Sequence, residues 1–223
     1  GTRKAGGPLD EGVIFSYSAK GKYTVLHTFD TTTGPPVGRL ARDSKGNLYG
    51  ALSVGGSATA CSGHGCGAIY RLSPDGTFVI LYSFTNNDDG RYPSGGVTLD
   101  KDDNLYGTSA FSGAGGYGVV FRLMPGGDYS TLYSFDGTHG TNTSGEVLNV
   151  KSNLYVTTLG GGAYGNGTVI KVSLHGGGTV VHDFTGDDGR LSAAGLVQGA
   201  KLLYGTTSSG GTGDRGVVFS LKK

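Results

Sequence analysis

Residues 95–135 read GGVTLDKDDNLYGTSAFSGAGGYGVVFRLMPGGDYSTLYSF, and they decide the fold. Four short runs stand out: Gly95–Leu99, Asn104–Ser109, Gly118–Leu123 and Tyr129–Phe135. Each is rich in Val, Tyr, Phe or Thr. Between them lie Asp100-Lys101-Asp102-Asp103, a Gly-rich loop over 112–116, and Met124-Pro125-Gly126-Gly127. Apolar runs this short, bounded by turn residues, are the pattern of antiparallel strands, and no helical period competes with it.

The same unit recurs along the chain. Its third run appears as Gly12-Val13-Ile14-Phe15, Gly67-Ala68-Ile69-Tyr70, Gly118-Val119-Val120-Phe121, Gly167-Thr168-Val169-Ile170 and Gly216-Val217-Val218-Phe219, with starts 55, 51, 49 and 49 residues apart. The fourth run ends on Phe29, Phe84, Phe135 and Phe184, and the second carries Tyr49, Tyr106, Tyr155 and Tyr204. Four strands in about 50 residues is the size of a β-propeller blade. The expected fold is therefore an all-β propeller in one domain over 1–223, with four full repeats and an overlapping terminal segment. A β-sandwich or β-solenoid is the alternative, but a sandwich does not require this period and a solenoid usually has shorter coils. The aromatic ending each outer strand is expected to fill the space between blades.

The phase of the repeat raises a second question. Gly1–Gly7 (GTRKAGG) matches Gly205–Gly211 (GTTSSGG), so residues 1–19 and 205–223 are equivalents. Closure of four blades needs one copy of that stretch. The surplus is a spare strand for pairing with another molecule, a fifth incomplete blade, or the sign of a longer chain. That the chain starts at Gly1, inside a unit, fits a processed chain or a piece of a longer protein.

Composition narrows the class. Gly accounts for 45 of 223 residues, but in no strict triplet period, which excludes collagen. Charged residues at 16% and aromatics at 10% do not describe a disordered chain. A net charge of +1 without a basic stripe argues against a nucleic-acid partner. No apolar run approaches a membrane span.

The repeat resembles a known family. Gly46-Asn47-Leu48-Tyr49-Gly50, Leu72-Ser73-Pro74-Asp75-Gly76 and Thr131-Leu132-Tyr133-Ser134-Phe135 are similar to the GloVer-type tandem repeat of bacterial extracellular proteins. The resemblance covers essentially the whole chain. It implies secretion or surface display and brings no catalytic motif. The strand order also resembles propellers of the NHL type, which bears on the fold alone.

Candidate functional residues lie in the loops. Cys61 and Cys66, in CSGHGC, occupy an insertion and are expected to form a local disulfide in an oxidising compartment. A metal site with His64 between them is the weaker reading, because C-x₄-C is not a zinc half-site. His27 and His182 share a repeat position with Tyr82 and Tyr133, which points to packing. Asp88-Asp89-Gly90-Arg91 and Asp187-Asp188-Gly189-Arg190 recur two units apart. Such pairs suit Ca²⁺, the one cofactor suggested, or sugar hydroxyls, but Asp-Gly turns also recur for backbone reasons. Tyr92, Phe111, Tyr117 and Tyr164 fall near the same face and suit sugar stacking.

These features point first to an extracellular binding module with a glycan as partner. Self-association into a filament or surface layer by terminal strand exchange is the alternative. A polysaccharide lyase or glycosidase comes third, with Asp88 and Asp187 as the carboxylates it would need.

Overall fold

The computed structural model describes residues 1–57, 59 and 61–223. They form five small antiparallel sheets. The first holds β1 (Thr2–Arg3), β2 (Val13–Tyr17) and β3 (Tyr23–Thr28), and the second β4 (Pro36–Arg42), β5 (Leu48–Leu52), β6 (Ala68–Leu72) and β7 (Phe78–Ser83). The third holds β8 (Arg91–Pro93), β9 (Thr98–Leu99), β10 (Leu105–Phe111), β11 (Val119–Leu123) and β12 (Tyr129–Ser134). The fourth is β13 (Thr141–Thr143), β14 (Leu148–Val150), β15 (Asn153–Gly160), β16 (Thr168–Ser173) and β17 (Gly178–Asp183). The fifth is β18 (Val197–Gln198), β19 (Leu202–Thr206) and β20 (Val218–Lys222). Among the described residues, helix is confined to one 3₁₀ turn at Cys61–Gly63.

One detail departs from the sequence reading, and a second matches one of the alternatives it left open. Residues 95–99 do not form one strand. The chain pairs with β10 as β8, leaves the ladder, and returns as β9. The reason is crowding at the inner edge: a Cβ on Gly96 would overlap the Arg39 carbonyl oxygen, and one on Gly95 would stand 2.7 Å from that of Gly145. The overlapping terminal segment, for its part, forms a fifth, incomplete sheet. Thr2 faces Ile14 in the first sheet as Thr206 faces Val218 in the fifth, so the equivalent stretches sit in separate sheets at the same register. The first sheet lacks the innermost strand of the unit and the fifth lacks the outermost.

The core is divided among the gaps between successive sheets. Four apolar clusters fill four gaps, and each contains one of Phe29, Phe84, Phe135 and Phe184. All four rings are fully buried. Side-chain alternation explains the division. Val120 points into the gap toward the fourth sheet, and its neighbour Phe121 points back toward the second. A register shift recurs between these positions at Ile14/Phe15, Ile69/Tyr70, Val120/Phe121 and Val169/Ile170, so each outer hairpin is bent in the same way.

Candidate functional site

The loops leading from each outer strand to the next sheet share one end of the molecule with the Gly-rich loops. Gly113 N–H donates to the Asn87 carbonyl, and Gly211 N–H to that of Gly186. Within the two Asp-Asp-Gly-Arg loops the paired carboxylates have different surroundings. Asp89 is buried and accepts from the Tyr82 hydroxyl (2.9 Å), the Thr85 N–H (2.7 Å) and hydroxyl (2.8 Å), and the Asn87 N–H (3.1 Å). Asp188 accepts from the Thr185 N–H (2.8 Å) and hydroxyl (3.0 Å), and lies 2.8 Å from His182 Nε2. These carboxylates close their own turns. Asp88 and Asp187 are exposed, and no hydrogen bond engages either carboxylate among the described residues.

The other two loops close with the roles exchanged. Asp30 directly follows Phe29 and accepts from the N–H groups of Thr32 and Thr33 (3.0 and 2.9 Å) and from both hydroxyls. Asp136 follows Phe135 and accepts from the His139 N–H (3.0 Å), His139 Nδ1 (2.8 Å) and the Thr138 hydroxyl (3.0 Å). Where Thr follows the Phe, the acid comes at the end of the loop; where Asp follows it, the donor does. Placing the residue after each Phe in one column would have revealed this exchange.

These bonds make the fold acid-sensitive. The Thr32 hydroxyl and the Thr33 N–H hold Asp30 down to about 2. At Asp136 burial works upward, but the His139 N–H and ring and the Thr138 hydroxyl outweigh it, and the group also falls to about 2. Both folded values lie below the ordinary carboxylate value of 3.8. Their stabilisation is thus complete only above about pH 5 and is lost as the pH falls through about 2. Urea midpoints measured across that range are expected to drop, and Asp30→Asn is expected to flatten the drop.

The two Arg residues also part company. Arg190 makes a two-pronged ion pair with Asp214, at 3.2 and 2.7 Å. Arg91 has no such partner among the described residues. Its guanidinium carbon lies 5.2 Å from the Tyr92 ring centroid and 5.6 Å from that of Phe111, and its Nε has no hydrogen-bond partner among the described residues. Tyr92 and Phe111 meet edge to face at 6.2 Å. Phe111 and Tyr117 are exposed, and Tyr117 lies against Gly137 of the next loop. Tyr164 is exposed and makes no ring contact among the described residues. No hydrogen bond or ion pair joins the Asp88–Arg91 loop to the Asp187–Arg190 loop among the described residues.

The arrangement around Tyr92 is braced by the disulfide. Cys61 and Cys66 are bonded, with Cα atoms 5.3 Å apart. The Cys66 carbonyl accepts from the Tyr92 N–H at 2.7 Å. Tyr92 holds a left-handed backbone at φ 54°, as do Asn142 (52°) and Leu191 (56°) at the matching places of the fourth and fifth sheets. With both sulfurs in the disulfide, no thiolate pair is left to hold a metal with His64. No group of three or more His, Cys, Asp or Glu placed to hold a metal occurs among the described residues. His27 stacks on Phe78 at 4.2 Å between centroids, a packing role. A groove of about 730 Å³, lined in part by Thr98, Asp100, Lys101, Glu146 and Lys151, contains none of the candidate residues. Among the described residues no helix is long and apolar enough to cross a membrane.

Comparison with known proteins agrees with this architecture. The Gloeobacter/Verrucomicrobia repeat matches residues 1–219. No curated protein matches the chain. Among solved structures, a protein assigned as a gluconolactonase matches with TM-score 0.52 and 18% identity over 94% of this chain and 71% of its own. A luciferin-regenerating enzyme matches with TM-score 0.55 and 13% identity over 91% of this chain and 66% of its own. A protein from Bacteroides uniformis assigned as a 6-phosphogluconolactonase matches with TM-score 0.59 and 14% identity, over 97% and 62%. At these identities the likeness is one of fold, the β-propeller-like arrangement of small antiparallel sheets. The chain spans roughly two thirds of the length of these proteins.

Proposed function

This chain belongs to the Gloeobacter/Verrucomicrobia repeat family, and from that premise we propose that it is an extracellular repeat module that binds glycans through the loop face of its third sheet. One observation carries the reading: Arg91 lies over the rings of Tyr92 and Phe111, which meet edge to face, and the Phe111 ring is exposed to solvent. Aromatic faces take up the C–H faces of sugars, and a guanidinium or a free carboxylate takes up their hydroxyls. Asp88, exposed three residues before Arg91, supplies the carboxylate. Tyr117, exposed against Gly137 of the next loop, offers a separate ring on the same end of the molecule. The disulfide behind Tyr92 keeps the platform preorganised and is in keeping with an oxidising, extracellular setting.

Glycan-array screening followed by titration of the strongest ligand tests the reading. Phe111→Ala is expected to weaken binding about two- to tenfold, in line with about 0.5–1.5 kcal/mol for a specific aromatic contact. Stability should move by no more than about 0.5 kcal/mol, since the ring is at the surface. Arg190→Ala should leave affinity unchanged. Titrations with and without Ca²⁺ decide whether Asp88 binds through a cation. A blank array at high protein concentration overturns the proposal. Hydrolysis has less support: Asp88 and Asp187 stand on loops before the third and fifth sheets, and a glycosidase needs two carboxylates flanking one bond.

A further inference from the structure

The two Asp-Asp-Gly-Arg loops set their Arg residues on the same backbone but give them different partners. Arg91 stands opposite Phe111 in the third sheet, and Arg190 stands opposite Ser209 in the fifth. The Gly-rich loops that follow Phe111 and Ser209 close with the same bonds. Gly116 N–H donates to the Gly113 carbonyl at 2.9 Å, and Gly118 N–H to that of Ser112 at 2.8 Å. In the fifth sheet Asp214 N–H donates to Gly211 and Gly216 N–H to Gly210, both at 3.0 Å. Gly116 is therefore the structural equivalent of Asp214. Both hold a left-handed backbone, at φ 83° and 49°.

The consequence is a difference in charge. Asp214 presents its two carboxylate oxygens to Arg190 Nε and Nη2, at 3.2 and 2.7 Å. Gly116 presents nothing, and its loop over 112–116 reads Ser-Gly-Ala-Gly-Gly, without an acid. Among the described residues no carboxylate stands within ion-pair distance of Arg91. Its Nε is buried without a partner, and neither Nη group makes a hydrogen bond among the described residues. A guanidinium is matched best by a planar acceptor with two oxygens. One Arg is thus filled by a carboxylate of its own chain, and its equivalent, beside the exposed Phe111 ring, is left open for a carboxylate from outside.

We propose that the ligand of the third sheet's loop face is an acidic glycan of the polyuronide class, whose carboxylate takes at Arg91 the place that Asp214 takes at Arg190. That assignment rests on the reading of this face as a glycan site and adds the charge of the ligand. A uronic acid carries a C–H face and a carboxylate on one ring, so Phe111 takes the first and Arg91 the second. Asp88 stands apart from this contact. Its carbonyl accepts from the Thr131 hydroxyl of β12 at 3.0 Å, and β12 and β8 are opposite edges of the sheet.

The probes are trimers of galacturonate, glucuronate and mannuronate, each beside its methyl ester, which keeps the rings and removes the charge. Calorimetric titration of the intact chain should show at least one acid trimer binding about tenfold tighter than its ester, as one charge-assisted pair predicts. Gly116→Asp supplies the missing carboxylate. Asp214 shows that this backbone accepts Asp, and nothing stands within 4 Å of the Cβ position at Gly116, so circular dichroism should be unchanged. The variant should bind the acid trimer about tenfold more weakly and the ester as before. Gly116→Asn, of the same size without the charge, should keep most of the affinity. Esters that bind as tightly as acids, or neutral sugars that bind where all three acids fail, overturn the proposal and leave the glycan reading standing. Equal losses in Gly116→Asp and Gly116→Asn also overturn it, because bulk rather than charge then blocks the site. A blank with every sugar overturns both readings.

Discussion

Phe84→Ala is expected to destabilise the chain by about 3–5 kcal/mol, the range for removing a fully buried aromatic ring. Phe84 is the last residue of the second unit's outer strand, and its ring closes the gap between the second and third sheets. It meets Tyr82, Phe121 and Tyr129 edge to face, with centroids 5.3, 5.4 and 6.0 Å away. Its backbone is held independently, by an N–H bond to the Gly67 carbonyl at 3.0 Å, so the site cannot collapse simply by moving the strand. The consequence extends beyond one cavity. Each core cluster is confined to one gap, so the second and third sheets are coupled chiefly through this one. In a repeat array, weakening one interface lets the two sides unfold apart. Urea unfolding followed by circular dichroism should therefore show a lower midpoint and a broadened or split transition. A loss below about 1 kcal/mol with one sharp transition would mean that the gap repacks and that the sheets are coupled elsewhere.

Gly38→Ala is expected to cost about 2–5 kcal/mol, combining a left-handed backbone on an L residue with overpacking. Gly38 sits at φ 66°, and a Cβ there would overlap the Gly96 nitrogen. The obstacle is backbone, and it lies where the inner strands of the second and third sheets press together. A side chain could swing aside; this peptide group is tied down on both sides by β8 and β9, which pair with β10. Gly76→Ala is the control. It too has positive φ, at 89°, but nothing stands within 4 Å of its Cβ position. That change should cost about 1–2 kcal/mol, the conformational share alone. Thermal unfolding of both variants checks the difference. Equal losses would remove the inner edge as the point of closest approach.

Much of the architecture was legible in the residues. Strands such as Val119–Leu123 and Tyr129–Ser134 are short, β-branched or aromatic, and flanked by Gly, Pro and Asp turns, so local chemistry marks them. The role of the four Phe residues was legible too, because a large apolar ring at a fixed repeat position needs the same space each time. The break at Ser94–Val97 was not. GGVTL reads as a strand, and its departure from the ladder comes from Arg39 and Gly145, far away in sequence. In the candidate site, the paired aspartates looked equivalent. Contacts made them different, with Asp89 and Asp188 enclosed by donors from their own turns and Asp88 and Asp187 left free. Likewise the two loops carry the same four letters, yet Asp214 captures Arg190 while Phe111 receives Arg91.

By itself the sequence determined the strands, their hairpins, the period and the phase at which it starts and stops, because these follow from side-chain alternation and turn chemistry within a few residues. Only the tertiary structure decided that the surplus segment makes a fifth sheet and that one of two identical motifs becomes an open aromatic platform. Those outcomes depend on which neighbour each side chain meets across a gap, and that neighbour lies about one repeat away along the chain, beyond the reach of local pattern.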